Sequence, residues 1–127
     1  MAKKIKTEEK ETVVYSRHEL PSEAEIPEAI HASLKVVEGR DAGKEFPLAR
    51  VKTVVGRGND ADLQIDDDRM SRLHAKIMYR RHQFRVSDLK SANGTFLNGS
   101  EVKEYALRNQ DKLLMGDTMF QFFIEVE

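Results

Sequence analysis

From Leu34 onward, short apolar runs alternate with turn residues. The runs are LKVVE, KEFPLA, KTVVG, DLQI, HAKIMY, QFRVSD, GTFLNG, KLLMG and TMFQFFIEV. In the last, Phe120, Phe122, Ile124 and Val126 fall on one side, with Gln121 and Glu125 on the other. That is the period of two of a half-buried strand. Between the runs sit Glu38-Gly39, Gly58-Asn59-Asp60, Asn93-Gly94 and Asn98-Gly99. Asn-Gly is a strong tight-turn signal, because both residues tolerate positive φ. Many short strands without a convincing helix predict an all-β antiparallel sandwich. No internal repeat is visible.

The first 32 residues follow a different pattern. They have no sustained periodicity, few large apolar side chains, two prolines (Pro21, Pro27) and many charges. Such a segment buries too little apolar area to offset its ordering entropy, so a disordered tail is expected. A short helix over Ser22–Ala32 is compatible with Ser22 as cap and Glu25 three residues on, although Pro27 limits its extent. The expected division is therefore a flexible tail over 1–32 and one domain over 33–127.

Charge narrows the function classes. The 127 residues carry 21 basic and 22 acidic side chains, a net charge of −1. Residues 1–31 hold five basic and seven acidic groups, leaving 16 and 15 for the remainder. Nonspecific nucleic-acid binding needs a broad positive excess, so no nucleic-acid partner is expected. There is no cysteine, hence no disulfide and no thiolate chemistry. No apolar run approaches the roughly 18 residues of a membrane span, so no membrane partner is expected. MAKKIKTEEKE lacks the apolar stretch of a secretory signal, which makes the cytoplasm the expected compartment.

Several local patterns invite a chemical reading and fail it. Gly56-Arg57-Gly58-Asn59-Asp60-Ala61 loosely matches a dinucleotide fingerprint, but that motif must open a helix and DADLQIDDD does not. Ser71 and His74 suggest a nucleophile and base, yet residues three apart on a strand face opposite sides and no carboxylate orienter is legible. Asp66-Asp67-Asp68 reads as a solvated turn without the spacing of a calcium loop. His18, His31, His74 and His82 lack metal-ligand spacing. The C-terminal phenylalanines have no interleaved basic stripe and read as core. No catalytic residue, metal site or cofactor is expected, and the chain reads as a non-enzyme.

Four features stand in order: Gly56-Arg57, Ser71-Arg72-Leu73-His74, Asn93-Gly94-Thr95 and Asn98-Gly99. In order and composition they resemble the forkhead-associated (FHA) domain over roughly residues 33–127. The resemblance implies an FHA-type β-sandwich that binds a phosphothreonine-containing protein or peptide. It implies that Arg57 and Ser71 contact phosphate, that Arg72 reaches it too, and that Asn93 holds the peptide main chain. It also implies that His74 is a buried strut, that Gly56, Gly94 and Gly99 supply turn geometry, that Thr95 is structural, and that Asn98 hydrogen-bonds across loops. Ala92 departs from the family pattern, where many members carry Ser or Thr. Arg69 has two open roles: a solvated charge offsetting the Asp triplet, or a rim residue favouring an acidic position in the ligand. The physics fits, since a phosphothreonine offers close to two negative charges and three acceptor oxygens to guanidinium and hydroxyl donors.

Thr12 lies in Glu8-Glu9-Lys10-Glu11-Thr12-Val13-Val14-Tyr15, after acidic residues and before apolar ones. The stretch ETVVYSRHEL partly resembles the tail of small bacterial FHA regulators of central metabolism, with Val13 where a second threonine would stand. This implies a serine/threonine kinase as partner and Thr12 as a candidate phosphorylation site whose phosphorylated form binds the chain's own domain. An inert tail is the other reading. For the whole chain, the reading is an adaptor or switch in kinase signalling; the alternative is a phosphate-independent interaction module with no role for the tail.

Overall fold

A computed structural model describes residues 25–127, which form eleven strands and no helix. In chain order these are β1 (Ile30–Glu38), β2 (Glu45–Pro47), β3 (Lys52–Gly56), β4 (Leu63–Gln64), β5 (Ala75–Arg80) and β6 (Gln83–Asp88). They continue as β7 (Thr95–Leu97), β8 (Ser100–Val102), β9 (Glu104–Ala106), β10 (Lys112–Met115) and β11 (Thr118–Val126). One sheet has the order β2-β1-β11-β10-β7-β8 and the other β4-β3-β5-β6-β9. The pairs are antiparallel except β3 with β4, which run parallel.

The two sheets face each other across one apolar core. Leu34, Val36, Leu113, Met115, Phe120 and Phe122 come from the first sheet; Val55, Ile77, Tyr79, Phe84 and Val86 come from the second. Tyr79, Phe84 and Phe122 form a tilted aromatic chain with centroid separations of 5.0 and 5.5 Å. Burial of each such side chain is worth about 1.5–3 kcal/mol, enough to fix strand register through the period of two. The alternation of β11 buries Phe120 and Phe122 but fades at Val126, which is 67% exposed. There β11 has run past the end of β10, whose pairing stops at Gln121.

One expectation is corrected. No helix occupies the described part of Ser22–Ala32: Ile30 N–H donates to Pro27 O at 3.0 Å, and β1 starts at once. Pairing with β11 from Ile30↔Val126 onward, with Ile26, Ile30 and Ala32 packed on the core, outweighs a helix too short to be stable alone. The first described strand thus begins at Ile30. Strands β8 and β9 were absent from the hydrophobic pattern, because each is three residues long, mostly exposed, and lies at a sheet edge. No described helix is long and apolar enough to cross a membrane. Residues 1–24, including Thr12, lie outside the described part.

Candidate functional site

Three connections carry the sequence-predicted residues, and backbone hydrogen bonds bring them together. Arg57 leaves β3, and its N–H donates to Ser71 O at 3.1 Å; Gly58 N–H donates to Arg72 O at 3.0 Å. The β3–β4 connection thus lies along the segment that precedes β5. Gly56 makes this approach possible. A Cβ there would meet Arg72 O at 2.0 Å, so its requirement is close backbone contact and not the turn geometry expected of it. Ala92 N–H donates to Ser71 Oγ at 2.9 Å, joining the β6–β7 connection to the others.

His74 is fully buried and locks the arrangement. Its Nδ1 accepts from Ser71 N–H at 3.1 Å, so the ring proton sits on Nε2 and donates to Gly94 O at 2.9 Å. Ser71 and His74 therefore do not face opposite sides: residues 71–74 are irregular, and the contact is through the Ser71 amide. Asp88, at the end of β6, organises the β6–β7 connection. It accepts from Ser91 Oγ at 2.6 Å, Thr95 Oγ1 at 2.7 Å and Ser91 N–H at 3.1 Å. Burial pushes its carboxyl up, but these bonds hold it below the ordinary 3.8.

Gly94 has φ +88, and a Cβ there would meet Glu101 Oε2 at 2.7 Å. Asn98 (φ 49) and Gly99 (φ 91) form the two-residue turn between β7 and β8. Asn98 Oδ1 accepts from Lys112 N–H at 2.9 Å and its Nδ2 donates to Asp111 at 3.0 Å, away from the loops holding Arg57 and Ser71.

Arg57, Arg72, Ala92 and Asn93 are exposed. Among the described residues neither Arg57 nor Arg72 has a carboxylate partner. Asn93 Nδ2 donates to Arg69 O at 2.8 Å. Arg69 Nε lies 3.4 Å from Asp117 Oδ1, so its charge does not serve the Asp triplet. That role falls to Arg40, which bonds Asp66 and Asp68 at 3.1 and 3.0 Å and has its own pKa raised by them. Asp67 is no solvated turn residue: it is 5% exposed. A cleft of about 390 Å³ is lined by Arg57 and Lys44 but also by Asp41, Asp66, Asp67 and Asp68, so carboxylates outnumber cations there and an anion is better served by the loop tips.

These tips combine two guanidinium groups without a carboxylate partner among the described residues, a hydroxyl that already accepts one bond and keeps its proton to donate, and a side-chain amide. The set suits a doubly charged, oxygen-rich ligand. Among the described residues no group of three or more His, Cys, Asp or Glu could hold a metal. The sequence reading missed Arg40, Asp67 and Asp88; for Asp88 the spacing to Ser91, as in an Asx-type turn, was an available signal.

The chain is 38% identical over 85 residues to the glycogen accumulation regulator GarA of Mycobacterium tuberculosis, covering 67% of this chain and 52% of the regulator. It is 36% identical over 91 residues to the oxoglutarate dehydrogenase inhibitor of Corynebacterium jeikeium, covering 72% and 62%. The chain spans about half the length of the first and under two thirds of the second. A solved FHA domain, determined in work on phosphothreonine-dependent FHA domain interactions, superposes with a TM-score of 0.71 at 27% identity, covering 76% of this chain and 99% of that one. Residues 35–125 match the family described as the inner membrane component of T3SS, cytoplasmic domain. The chain accordingly belongs to that family, and its sandwich is a forkhead-associated domain.

Proposed function

We propose that this chain binds phosphothreonine-containing proteins through Arg57, Ser71, Arg72 and Asn93, and serves serine/threonine kinase signalling as an adaptor or switch in the cytoplasm. The observation that carries this is that two exposed arginines, without a carboxylate partner among the described residues, share with the Ser71 hydroxyl a set of loops locked by buried His74. The solved FHA domain's phosphothreonine-dependent interactions and the regulator and inhibitor among the relatives support it. The chain is a binding module here and not an enzyme. Arg69 and exposed Ala92 border Asn93 and Ser71 through direct hydrogen bonds, which suits them to ligand preference.

The test is calorimetric titration with a phosphothreonine peptide and its unphosphorylated twin. Arg57→Ala removes a charge-assisted bond worth about 1.5–3 kcal/mol, so affinity falls at least about tenfold with the fold intact. Equal affinity of wild type and Arg57→Ala, or equal affinity for both peptides, would overturn the assignment.

A further inference from the structure

Asp67 holds two loops together from the inside. Its Oδ2 accepts from Thr118 Oγ1 at 2.6 Å and from Asp117 N–H at 2.8 Å, both in the β10–β11 turn region. Its Oδ1 accepts from Arg69 N–H at 2.8 Å, in the connection leading to Ser71. Thr118 is fully buried, and among the described residues no cation pairs with Asp67. The carboxylate is thus satisfied by neutral donors. Burial raises its pKa, but the Thr118 hydroxyl and the amides of Arg69, Asp117 and Met70 hold it below the ordinary 3.8.

The turn is shaped around this group. Gly116 has φ +62, and a Cβ there would lie 2.8 and 2.9 Å from the two Asp67 oxygens and 2.8 Å from Met70 N. No side chain fits. The peptide groups flanking Arg69 then pass the constraint on: its N–H is held by Asp67, while its carbonyl accepts from Asn93 Nδ2 at 2.8 Å. With Nδ2 so engaged, Asn93 Oδ1 is the acceptor left for a ligand's main-chain N–H.

We propose that Asp67 is the positioning residue of the recognition loops, fixing the Arg69 backbone and, through it, the side-chain amide of Asn93. The proposal rests on the phosphothreonine reading for its binding consequence, and on geometry alone for the Asn93 orientation. The two are separable.

Asp67→Asn keeps the shape but turns one acceptor into an NH₂ facing another donor. Wild type and variant, as full chains and well below their melting midpoints, would be titrated with the same phosphothreonine peptide while NMR follows the Asn93 side-chain amide. Expected are a displaced Asn93 resonance in the free variant and affinity weakened about tenfold, the scale of one lost bond to a charged group. Thr118→Val, which removes one donor and keeps the branched shape, should shift the same resonance in the same direction and carries the test if Asp67→Asn does not fold. A lowered Tm with unchanged Asn93 resonance and unchanged affinity would reduce Asp67 to a purely structural role and overturn the proposal. A wild type that binds no phosphopeptide would sink the phosphothreonine reading instead, and the Asn93 resonance would still decide the positioning.

Discussion

With both ring nitrogens of His74 engaged, alanine there leaves a Ser71 amide and a buried Gly94 carbonyl without partners. Each orphaned buried group costs about 1–3 kcal/mol. For a domain near 100 residues, 1 kcal/mol shifts Tm by roughly 4–8 °C. His74→Ala should therefore melt roughly 8 °C or more below wild type, with affinity lost as the loops part. Ser71→Ala removes the acceptor of the Ala92 amide, but Ala92 is exposed and its N–H can turn to water. Its Tm should stay within a few degrees of wild type, by the modest net worth of an exposed hydrogen bond, while phosphopeptide affinity falls. Melting curves and titrations of both variants check this; an unchanged Tm for His74→Ala would remove its role as strut.

At the scale of elements, strands and turns obey different constraints. The hairpin between β5 and β6 closes on Arg81 and His82, both at positive φ (52° and 69°), with Arg80 paired to Gln83. This geometry ordinarily takes Asn-Gly, and bulkier residues adopt it at a cost of about 1–2 kcal/mol each. The ladder of six paired positions that follows holds the turn regardless. Tyr79, on the same β5, is 2% exposed, and its hydroxyl has no hydrogen-bond partner among the described residues. Burying an unpaired hydroxyl costs about 1–3 kcal/mol, whereas the ring packs against Phe84. Tyr79→Phe should consequently match or exceed the wild-type Tm. A drop of several degrees, on the scale expected for a lost buried bond, would mean that the hydroxyl is bonded after all.

For the molecule as a whole, carboxylates depressed in the folded state shape the response to acid, Asp41 among them through its bond from the Asp66 amide. Asp67 and Asp88 both have folded-state pKa values below the ordinary 3.8. A depressed folded value adds stability that is complete above the unfolded value and is lost as pH falls through the folded one. The Tm gap between wild type and Asp88→Asn should be wide at pH 7 and narrow towards pH 3; a gap independent of pH would contradict this account. Thr12 poses the other whole-molecule question. It stands 18 positions before Ile30, and a chain of that length reaches at most roughly 60 Å, more than is needed across a small domain. We expect phosphorylated Thr12 to occupy the Arg57 and Ser71 loops of its own chain, since a short tether gives an effective concentration of millimolar order. NMR of the phosphorylated chain over a dilution series checks it: shifts at Arg57, Ser71 and Asn93 that persist on dilution support binding in cis. Shifts that vanish indicate binding between chains, and none at all leaves Thr12 without this role, as Thr12→Ala should show in either case.

The strand runs and the order Gly-Arg, Ser-Arg-Leu-His, Asn-Gly-Thr, Asn-Gly were legible in the sequence, because periodicity and turn chemistry are properties of contiguous residues. So was the two-residue turn at Asn98-Gly99, where positive φ is written into the residue types. What the sequence could not disclose depends on residues far apart. Gly56 is needed because the Arg72 backbone passes against it. Asp67 read as a solvated acid until Thr118, 51 positions away, was found donating to it. Arg40 takes the charges of Asp66 and Asp68, one of the two roles that the sequence left open for Arg69. Local pattern determined which segments become strands; the packing of two sheets decided which polar groups lose water and must therefore find partners across the fold.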